Sequence, residues 1–511
     1  MSEEHAFQLA AIVVYLLGMI AIGFYAYRRT KTGRDFLLAG RDLSPRVAAL
    51  SAGASDMSGW LLMGLPGALY ATGLIESWIA IGLTIGTWLN WFIVAPRLRV
   101  YSEISRDTIT MPAFFEQRFR DRTRLIRSVS AIIILVFFVF YVASMLVAAG
   151  AFFESAFGWN YMTGLLLVGG VTLAYTVFGG FLGVSLTDVA QGLLMLAALV
   201  TVPIIATVQL GGPGEVVSLI NEADVEAGFD HLSFTGGGLS GASLLVIISG
   251  LAWGLGYFGQ PHILARFFAI RSHAEVKTAR RIGTGWVILC MTGAVLTGLI
   301  GVAWFHDAGQ PLDNPETVFL LLSQILFHPF IAGLVLAAVL AAIMSTMSSQ
   351  LLVSSSALVE DIYGLFKREP EERTQLWLGR ASVVAVTIIA VLIAQNPEST
   401  VLDLVGFAWA GFGAAFGPML LLALYWKRVT AMGALAGMIA GAVVSYVWGS
   451  VPAIKEALDL YEIIPGVIAH FVVAIIVSLL TKRPDAEVEE EFQQMKDTIA
   501  GKSSPTRVTT D

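Results

Sequence analysis

The chain has 511 residues, of which 56% are hydrophobic and only 14% are charged, with a formal net charge of −7. Its mean hydropathy is +0.75. A soluble globular protein of this length would carry far more charge, so the composition excludes that class and predicts a polytopic membrane protein. The acidic start, Met1 to His5, lacks the basic head of a cleavable signal peptide. The lone Cys290 excludes an intrachain disulfide.

A helix that crosses a bilayer needs about 20 apolar residues, and the chain offers thirteen such segments. The segments lie near 7–27, 47–73, 75–96, 128–155, 161–179, 186–209, 241–265, 282–304, 327–356, 376–395, 401–426, 430–450 and 464–481. We therefore predict an all-α polytopic fold, with residues 1–483 as a transmembrane domain and 484–511 as a polar tail.

The basic residues predict the orientation of these spans. Thirty of the 31 Lys and Arg residues fall on connections that follow odd-numbered spans, counted with the adjoining span ends. Lys455 alone falls on the other side. Since basic connections stay in the cytoplasm, we expect an inner (plasma) membrane protein with its N-terminus outside and its tail inside.

The second span contains a lone acid, Asp56, in the stretch 48–73, which has no Lys, Arg, Glu or other Asp. A carboxylate at membrane depth costs about 2.5–3.5 kcal/mol on insertion scales, and is tolerated where it faces a cavity, a cation or a partner. The same span is rich in helix breakers, which are Gly53, Gly59, Gly64, Pro66 and Gly67. We interpret it as a broken helix that helps to build an ion site.

The seventh span is also interrupted, between Gly250 and Pro261. Its match to the dinucleotide fingerprint G-x-G-x-x-G lacks the strand and βαβ unit which that motif requires, so we discard it. The second and seventh spans lie five apart and cross in opposite directions, as in inverted repeats that would cover 47–209 and 241–426. Small residues also let helices pack closely, but the acid and the aromatic residues inside these breaks favour a binding site.

Two adjacent hydroxyls, Ser345 and Thr346, lie inside the apolar ninth span. Such residues often bond to their own helix carbonyls. Beside Asp56 and a broken span, whose exposed carbonyls can coordinate a hard cation, they instead favour an alkali-cation site.

Four aromatic residues, Trp60, Tyr141, Trp253 and Tyr257, lie in or next to the polar or broken segments. Trp and Tyr also form interfacial belts, but Trp60 and Tyr141 are too far from their span ends for that role. Because a ring face can attract an ammonium group and cover an apolar body, this lining predicts a small zwitterionic ligand.

Four longer runs, 51–64, 76–83, 257–266 and 409–418, carry a resemblance to a known family. With them the sequence resembles the sodium:solute symporter family from the first span to about residue 481. The resemblance implies a leucine-transporter-like 5+5 inverted repeat, with one helix before the repeats and two after them. It also implies symport of L-proline with Na⁺ as the coupling ion.

The resemblance also implies roles for individual residues. A Na⁺ site would use the carbonyls of Ala54, Met57 and Ala342 with the hydroxyls of Ser345 and Thr346, and would require Asp56. A proline site would be lined by Ser58, Gly59, Trp60, Tyr141, Trp253, Tyr257 and Pro261. Coupling and gating would involve Arg41 and Asp188 at cytoplasmic span ends, although a basic loop and a helix cap explain these two equally well.

Several alternatives stay open at this point. The same machinery could carry a sugar, pantothenate, acetate or choline, and a proton could replace Na⁺ because Asp56 is titratable. A solute sensor without transport, or a passive channel, would share the spans, although the short tail leaves no room for a signalling domain. The seven His and one Cys form no catalytic or metal constellation, so we expect no enzyme. We expect a lipid bilayer and no nucleic acid as partners, and the oligomeric state is left open.

Overall fold

The computed structural model describes residues 3–30, 32–364, 372–395 and 400–502. In chain order the helices are α1 (Glu3–Tyr27), α2 (Gly33–Leu38), α3 (Pro45–Asp56), α4 (Leu65–Thr72), α5 (Ser77–Leu89), α6 (Ala95–Ile104), α7 (Met111–Phe119), α8 (Leu125–Phe157), α9 (Tyr161–Gln209), α10 (Pro213–Ala227), α11 (Gly241–Ala252), α12 (Pro261–Ala269), α13 (Val276–Asp307), α14 (Val318–Leu326), α15 (Pro329–Ser356), α16 (Glu372–Ile393), α17 (Val401–Tyr425), α18 (Ala431–Ser450), α19 (Pro452–Leu458), α20 (Ile463–Leu480) and α21 (Ala486–Ile499). Within these ranges the only β-type pairing is an isolated bridge between Leu43 and Ile270. The predicted all-α class is confirmed.

Eleven helical stretches in the described chain are long and apolar enough to cross a membrane. Two of them, Trp60–Ile104 and Tyr161–Gln209, are much longer than a bilayer requires, with 45 and 49 residues. Each contains a sharp reversal at a glycine. The thirteen predicted segments therefore map onto eleven continuous stretches.

The first reversal lies at Gly73, where φ is +76°. As the chain advances from Leu69 to Trp91, its contact on α13 moves from Gly298 back to Gly283. The chain thus changes direction at Gly73 and returns across the fold. The left-handed backbone at this turn favours glycine, since other L-residues adopt it at a cost.

The second reversal lies at Gly180, where φ is +58° inside α9. The side chains of Tyr175 and Gln191 lie within reach of each other, although 16 residues of straight helix would separate them by about 24 Å. The helix therefore folds back at this residue. The predicted spans 161–179 and 186–209 are thus joined at a single glycine, and residues 181–185 are helical.

The core of the protein lies along α15 and α17. In the most apolar window of each of these two stretches, 83% of the residues are buried, against 28% for α16 and α20. The most buried helices are thus those that flank the two broken spans, while α16 and α20 pack at the periphery.

The tail begins with an amphipathic helix, α21, that packs against α6. Phe492 makes an edge contact with Tyr101, and Arg120 forms ion pairs with Glu487 at 2.8 Å and Glu491 at 2.6 Å. These contacts fix the start of the tail to α6 and to the end of α7. Residues 503–511 lie outside the described part of the chain.

Candidate functional site

The first break separates α3 from α4. Ser44 caps the start of α3, and the helix ends at Asp56, after which Met57 leaves helical geometry with ψ of 84°. The chain resumes at Gly59 and passes through a π-helical turn, Trp60–Gly64. The indole of Trp60 donates to the carbonyl of Asp56 at 3.2 Å, which steadies the interrupted segment.

The second break separates α11 from α12. The backbone tightens into a 3₁₀ segment, Trp253–Gly259, becomes extended at Gln260, and enters α12 at Pro261. A Cβ atom on Gly256 would lie 1.9 Å from the indole nitrogen of Trp409, so the absence of a side chain allows this segment to press against α17. Both interruptions predicted from the sequence are confirmed.

Asp56 joins the two breaks. Its side chain is buried, and one carboxylate oxygen accepts a hydrogen bond from the hydroxyl of Tyr257. The other oxygen, Oδ1, is also buried and has no hydrogen-bond partner within the described residues. The acid thus lies at the end of a broken helix and faces the protein interior, as a cation or solute site requires.

Three oxygens meet where α3 lies against α15. The hydroxyl oxygen of Ser345 lies 2.7 Å from the carbonyl oxygen of Ala54 and 3.1 Å from that of Ala342, with its one proton shared between them. The hydroxyl of Thr346 is fully buried and has no hydrogen-bond partner in the described chain. Clustered carbonyl and hydroxyl oxygens without a second charge are the ligands that alkali cations receive at broken helices. The oxygens of Ala54, Ala342 and Ser345 therefore fit a cation such as Na⁺, and Met57 follows at the break itself.

Three of the predicted aromatic residues, Trp60, Trp253 and Tyr257, form ring contacts with one another or with two further rings, Tyr461 and Trp409. The ring of Trp60 lies 6.2 Å from that of Trp253, which stacks on Tyr461 at 5.1 Å. The ring of Tyr257 meets Trp409 edge-on at 5.1 Å. All five rings line the breaks or their immediate surroundings.

Tyr141 on α8 completes the group of predicted solute-site residues near the first break. Its hydroxyl lies close to that of Ser58, without the geometry of a hydrogen bond, and both hydroxyls are buried. A Cβ atom on Gly59 would contact Ala148 and Ile343 at 3.2 and 3.3 Å, so this glycine lets α8 and α15 approach the break.

The two ends of the second break open onto different cavities. Trp253 lines a polar cavity with Glu76, Asp403 and Tyr461, whereas Pro261 lines a separate, mostly apolar cavity with Asp361. The structure thus places Pro261 apart from Trp253, although both were predicted to line one proline site.

Asp188 lies elsewhere than predicted. It was expected at the end of a span, but it sits about two turns beyond Gly180 and is fully buried. Its carboxylate accepts from Ser51 at 2.6 Å and pairs with Arg266 at 2.9 Å. The cause of the error is the tight turn at Gly180, which places residues 181–188 inside the protein.

Arg266 was missed as a site residue, because it was counted among the basic residues of a connection. It is fully buried, and its guanidinium also donates to Ser51, to Ser349 and to the carbonyl of His262. It therefore ties α12 to α3, α9 and α15. Its isolation in the sequence could have identified it, since residues 241–270 contain no other charged residue.

Arg41 lies outside this cluster. It follows Gly40 in a short turn and is largely buried, with its guanidinium on the hydroxyl of Ser102, on the carbonyl of Thr108 and on the carboxylate of Asp107. These contacts join the segment before α3 to the end of α6. The structure brings Asp188 close to the ion candidates through Ser51, but leaves Arg41 apart from them.

Comparisons with known proteins now bear on this geometry. The model of the sodium:solute symporter family matches residues 36–441. The chain belongs to this family. Its members are transporters, so the chain is a transporter rather than an enzyme.

Curated relatives match almost end to end. The chain is 52% identical over 483 residues to the high-affinity proline transporter PutP of Bacillus subtilis, covering 94% of this chain and 100% of the relative. It is 50% identical over 493 residues to the sodium/proline symporter of Escherichia coli, covering 95% of each chain.

Solved structures confirm the fold. A Na⁺-coupled sialic acid symporter, in a substrate-bound outward-open state, aligns with a TM-score of 0.76 at 22% identity, over 94% of this chain and 99% of the other. The transporter MhsT, in complex with L-phenylalanine, aligns with a TM-score of 0.52 at 14% identity, over 85% and 98%. The leucine-transporter-like architecture predicted from the sequence is confirmed. The number of membrane-crossing segments is about thirteen when the two long stretches are each counted as two crossings.

Proposed function

We propose that this chain is a secondary active transporter that carries L-proline into the cell together with Na⁺. The observation that carries the proposal is the contact of the Ser345 hydroxyl with the carbonyl of Ala54, which joins the first broken span to α15 beside the carbonyl of Ala342. The solute assignment is supported by relatives of about half-identical sequence that are named proline transporters.

Sodium binds, in this proposal, between α3 and α15. Its ligands are the carbonyls of Ala54, Met57 and Ala342 and the hydroxyls of Ser345 and Thr346. Asp56 supplies the negative charge that compensates the cation inside the membrane. The buried Thr346 hydroxyl supports this role, since it has no hydrogen-bond partner among the described residues and is available as a ligand.

L-Proline binds beside the sodium ion, between the two breaks. The residues proposed to line its site are Ser58, Gly59, Trp60, Tyr141, Trp253, Tyr257 and Pro261. The indole rings offer faces for the ammonium group and the apolar ring of the solute. Pro261 would contribute from the far end of the second break, at the apolar cavity.

Coupling between Na⁺ and proline follows because both proposed sites include residues of the first break. A ligand moves a conformational equilibrium only through unequal affinity for its states, so sodium that ties α3 to α15 favours the state in which the solute site is formed. Each ligand must then strengthen the other by the same factor. We assign Asp188 to this coupling, through Ser51 and Arg266, and Arg41 to the contacts that change when the site opens to the cytoplasm.

The proposed arrangement in the cell follows the charge asymmetry of the sequence. The protein is a multi-pass membrane protein, placed in the plasma membrane with the N-terminus outside and the tail in the cytoplasm. Residues 1–483 form the transporter domain, with core repeats at about 47–209 and 241–426 and a cytoplasmic tail at 484–511.

The test is uptake of labelled L-proline by proteoliposomes that contain only this protein. We expect an inward Na⁺ gradient to drive accumulation, and a K⁺ gradient of equal size to drive none. Parallel Li⁺ and H⁺ gradients identify the coupling ion, and unlabelled sugar, pantothenate, acetate and choline test the solute. Accumulation driven by H⁺ alone, or competition by another solute stronger than that of proline itself, would overturn the proposal.

A further inference from the structure

His262 is a buried histidine that the proposed mechanism does not yet use. Its side chain is fully buried, and neither ring nitrogen has a hydrogen-bond partner within the described residues. The other fully buried histidine, His470, places Nδ1 2.8 Å from the carbonyl oxygen of Ala414. A buried polar group without a partner destabilises a protein, so the open nitrogens of His262 are available to a bound solute.

The ring of His262 lies beside a residue of the proposed solute site. It meets Tyr141 edge-on with 6.2 Å between ring centroids, and Phe138 at 5.6 Å. Tyr141 and nearby Ser58 also have buried hydroxyls that lack partners in the described chain. Polar groups from α8, the first break and α12 therefore surround one region of the interior.

The position of His262 in its helix indicates the charge of the group it would bind. It is the second residue of α12, which has nine residues, and Gln260 makes no side-chain cap to that helix. The amide nitrogen of Gln260 donates instead to the carbonyl of Trp409 at 3.1 Å, and its Oε1 has no partner in the described chain. An uncapped helix start presents N–H groups and a partial positive charge, which favours an anion.

The anionic part of the proposed solute, L-proline, is its carboxylate. The ion candidates Ser345 and Thr346 belong to α15 and His262 to the start of α12, so the cation and the carboxylate are assigned to different helices. Arg266, one turn further along α12, has its charge paired with Asp188. The anion would therefore meet a hydrogen-bond donor and a helix terminus.

We propose that His262 donates a hydrogen bond from its imidazole to the carboxylate of the carried amino acid. The neutral ring offers one N–H donor, and the start of α12 adds its partial positive charge. His262 is then a determinant of specificity for solutes that carry a carboxylate beside a cyclic amine. This inference rests on the proposed function, because it concerns the same solute.

The test combines two variants with two ligands. L-Proline and L-prolinamide, which lacks the carboxylate, are compared as competitors of labelled proline binding in the presence of Na⁺. In His262→Phe we expect proline affinity to fall roughly 10–100-fold, the range for a lost hydrogen bond to a charged group. Affinity for prolinamide should fall less, by about fivefold, because its neutral carbonyl accepts a weaker hydrogen bond than a carboxylate does. His262→Gln keeps an N–H donor and should recover part of the proline affinity.

The outcomes separate the inference from the proposed function. If both ligands weaken equally in His262→Phe and in His262→Gln, the ring has a packing role and the inference is overturned. Unchanged proline affinity in His262→Phe overturns it as well. His470→Phe is the matched control, since it removes a buried histidine of α20 and should leave the ratio of the two affinities intact. Failure of the unmodified protein to bind proline overturns the proposed function instead.

Discussion

The two breaks occupy corresponding places in the two halves of the chain, yet they differ in length and chemistry. The first is short, with Met57 and Ser58 between two helical segments, and it brings the carbonyl of Ala54 to α15 and the carboxylate of Asp56 to Tyr257. The second extends from Trp253 to Gln260 and brings indole and phenol rings together with a helix start. One topology has thus acquired an oxygen-rich break suited to a cation and an aromatic break suited to an organic solute.

The largest expected effect concerns the negative charge of Asp56 at the first break. Asp56→Asn keeps the size of the side chain and removes its charge. We expect the Na⁺ concentration for half-maximal uptake to rise about 10–100-fold, because contacts to charged groups contribute about 1.5–3 kcal/mol. The measurement is a Na⁺ titration of proline uptake in proteoliposomes.

Tyr257→Phe is the control for this variant, since it removes the hydrogen bond to Asp56 and keeps the carboxylate. It should affect proline affinity more than the Na⁺ requirement. An unchanged Na⁺ requirement in Asp56→Asn would show that the role given to this acid is wrong.

A second variant tests how tightly the longer break is packed. In Gly256→Ala the new Cβ would lie 1.9 Å from Trp409, whereas in Gly59→Ala its nearest contact would be 3.2 Å. We expect Gly256→Ala to destabilise the protein by about 1–3 kcal/mol, the usual range for overpacking, and Gly59→Ala to destabilise it less. Thermal unfolding in detergent, followed by tryptophan fluorescence, measures both, and equal melting temperatures would contradict the packing difference.

The smallest expected effect concerns the hydroxyls on α15. Thr346→Ala and Ser345→Ala each remove one neutral oxygen, which contributes about 1 kcal/mol as a hydrogen-bonding group, or about a fivefold change. We expect each variant to raise the Na⁺ requirement by that factor and to leave proline affinity at saturating Na⁺ nearly unchanged.

Ser348→Ala is the matched control, since its hydroxyl donates to the carbonyl of Ser345 within the same helix. A Na⁺ titration without a shift in Ser345→Ala and Thr346→Ala would remove α15 from the ion site.

The sequence was sufficient to predict the membrane spans, both interruptions and the isolation of Asp56. These features depend on local composition, which hydropathy and helix-breaking residues report directly. The pairing of Asp56 with Tyr257 joins residues 201 positions apart, and local patterns carry no information on such a contact. The resemblance to a family selected both residues without indicating that they touch.

Charged residues near span ends were harder to place. Arg266 and Asp188 were both assigned to cytoplasmic ends, because hydropathy marks where a span stops only to within a few residues. The structure instead buries them as a pair. Leaving one partner of a buried pair alone is strongly destabilising, so an isolated charge near a span end is reason to search for its partner.

The turn at Gly180 has a mechanical consequence for the proposed transport cycle. A single residue joins the two crossings of α9, so no flexible connector can absorb a tilt of one crossing relative to the other. Asp188 lies about two helical turns after Gly180, and Tyr175 lies little more than one helical turn before Gly180. A tilt of the first crossing would therefore move the carboxylate of Asp188 relative to the guanidinium of Arg266.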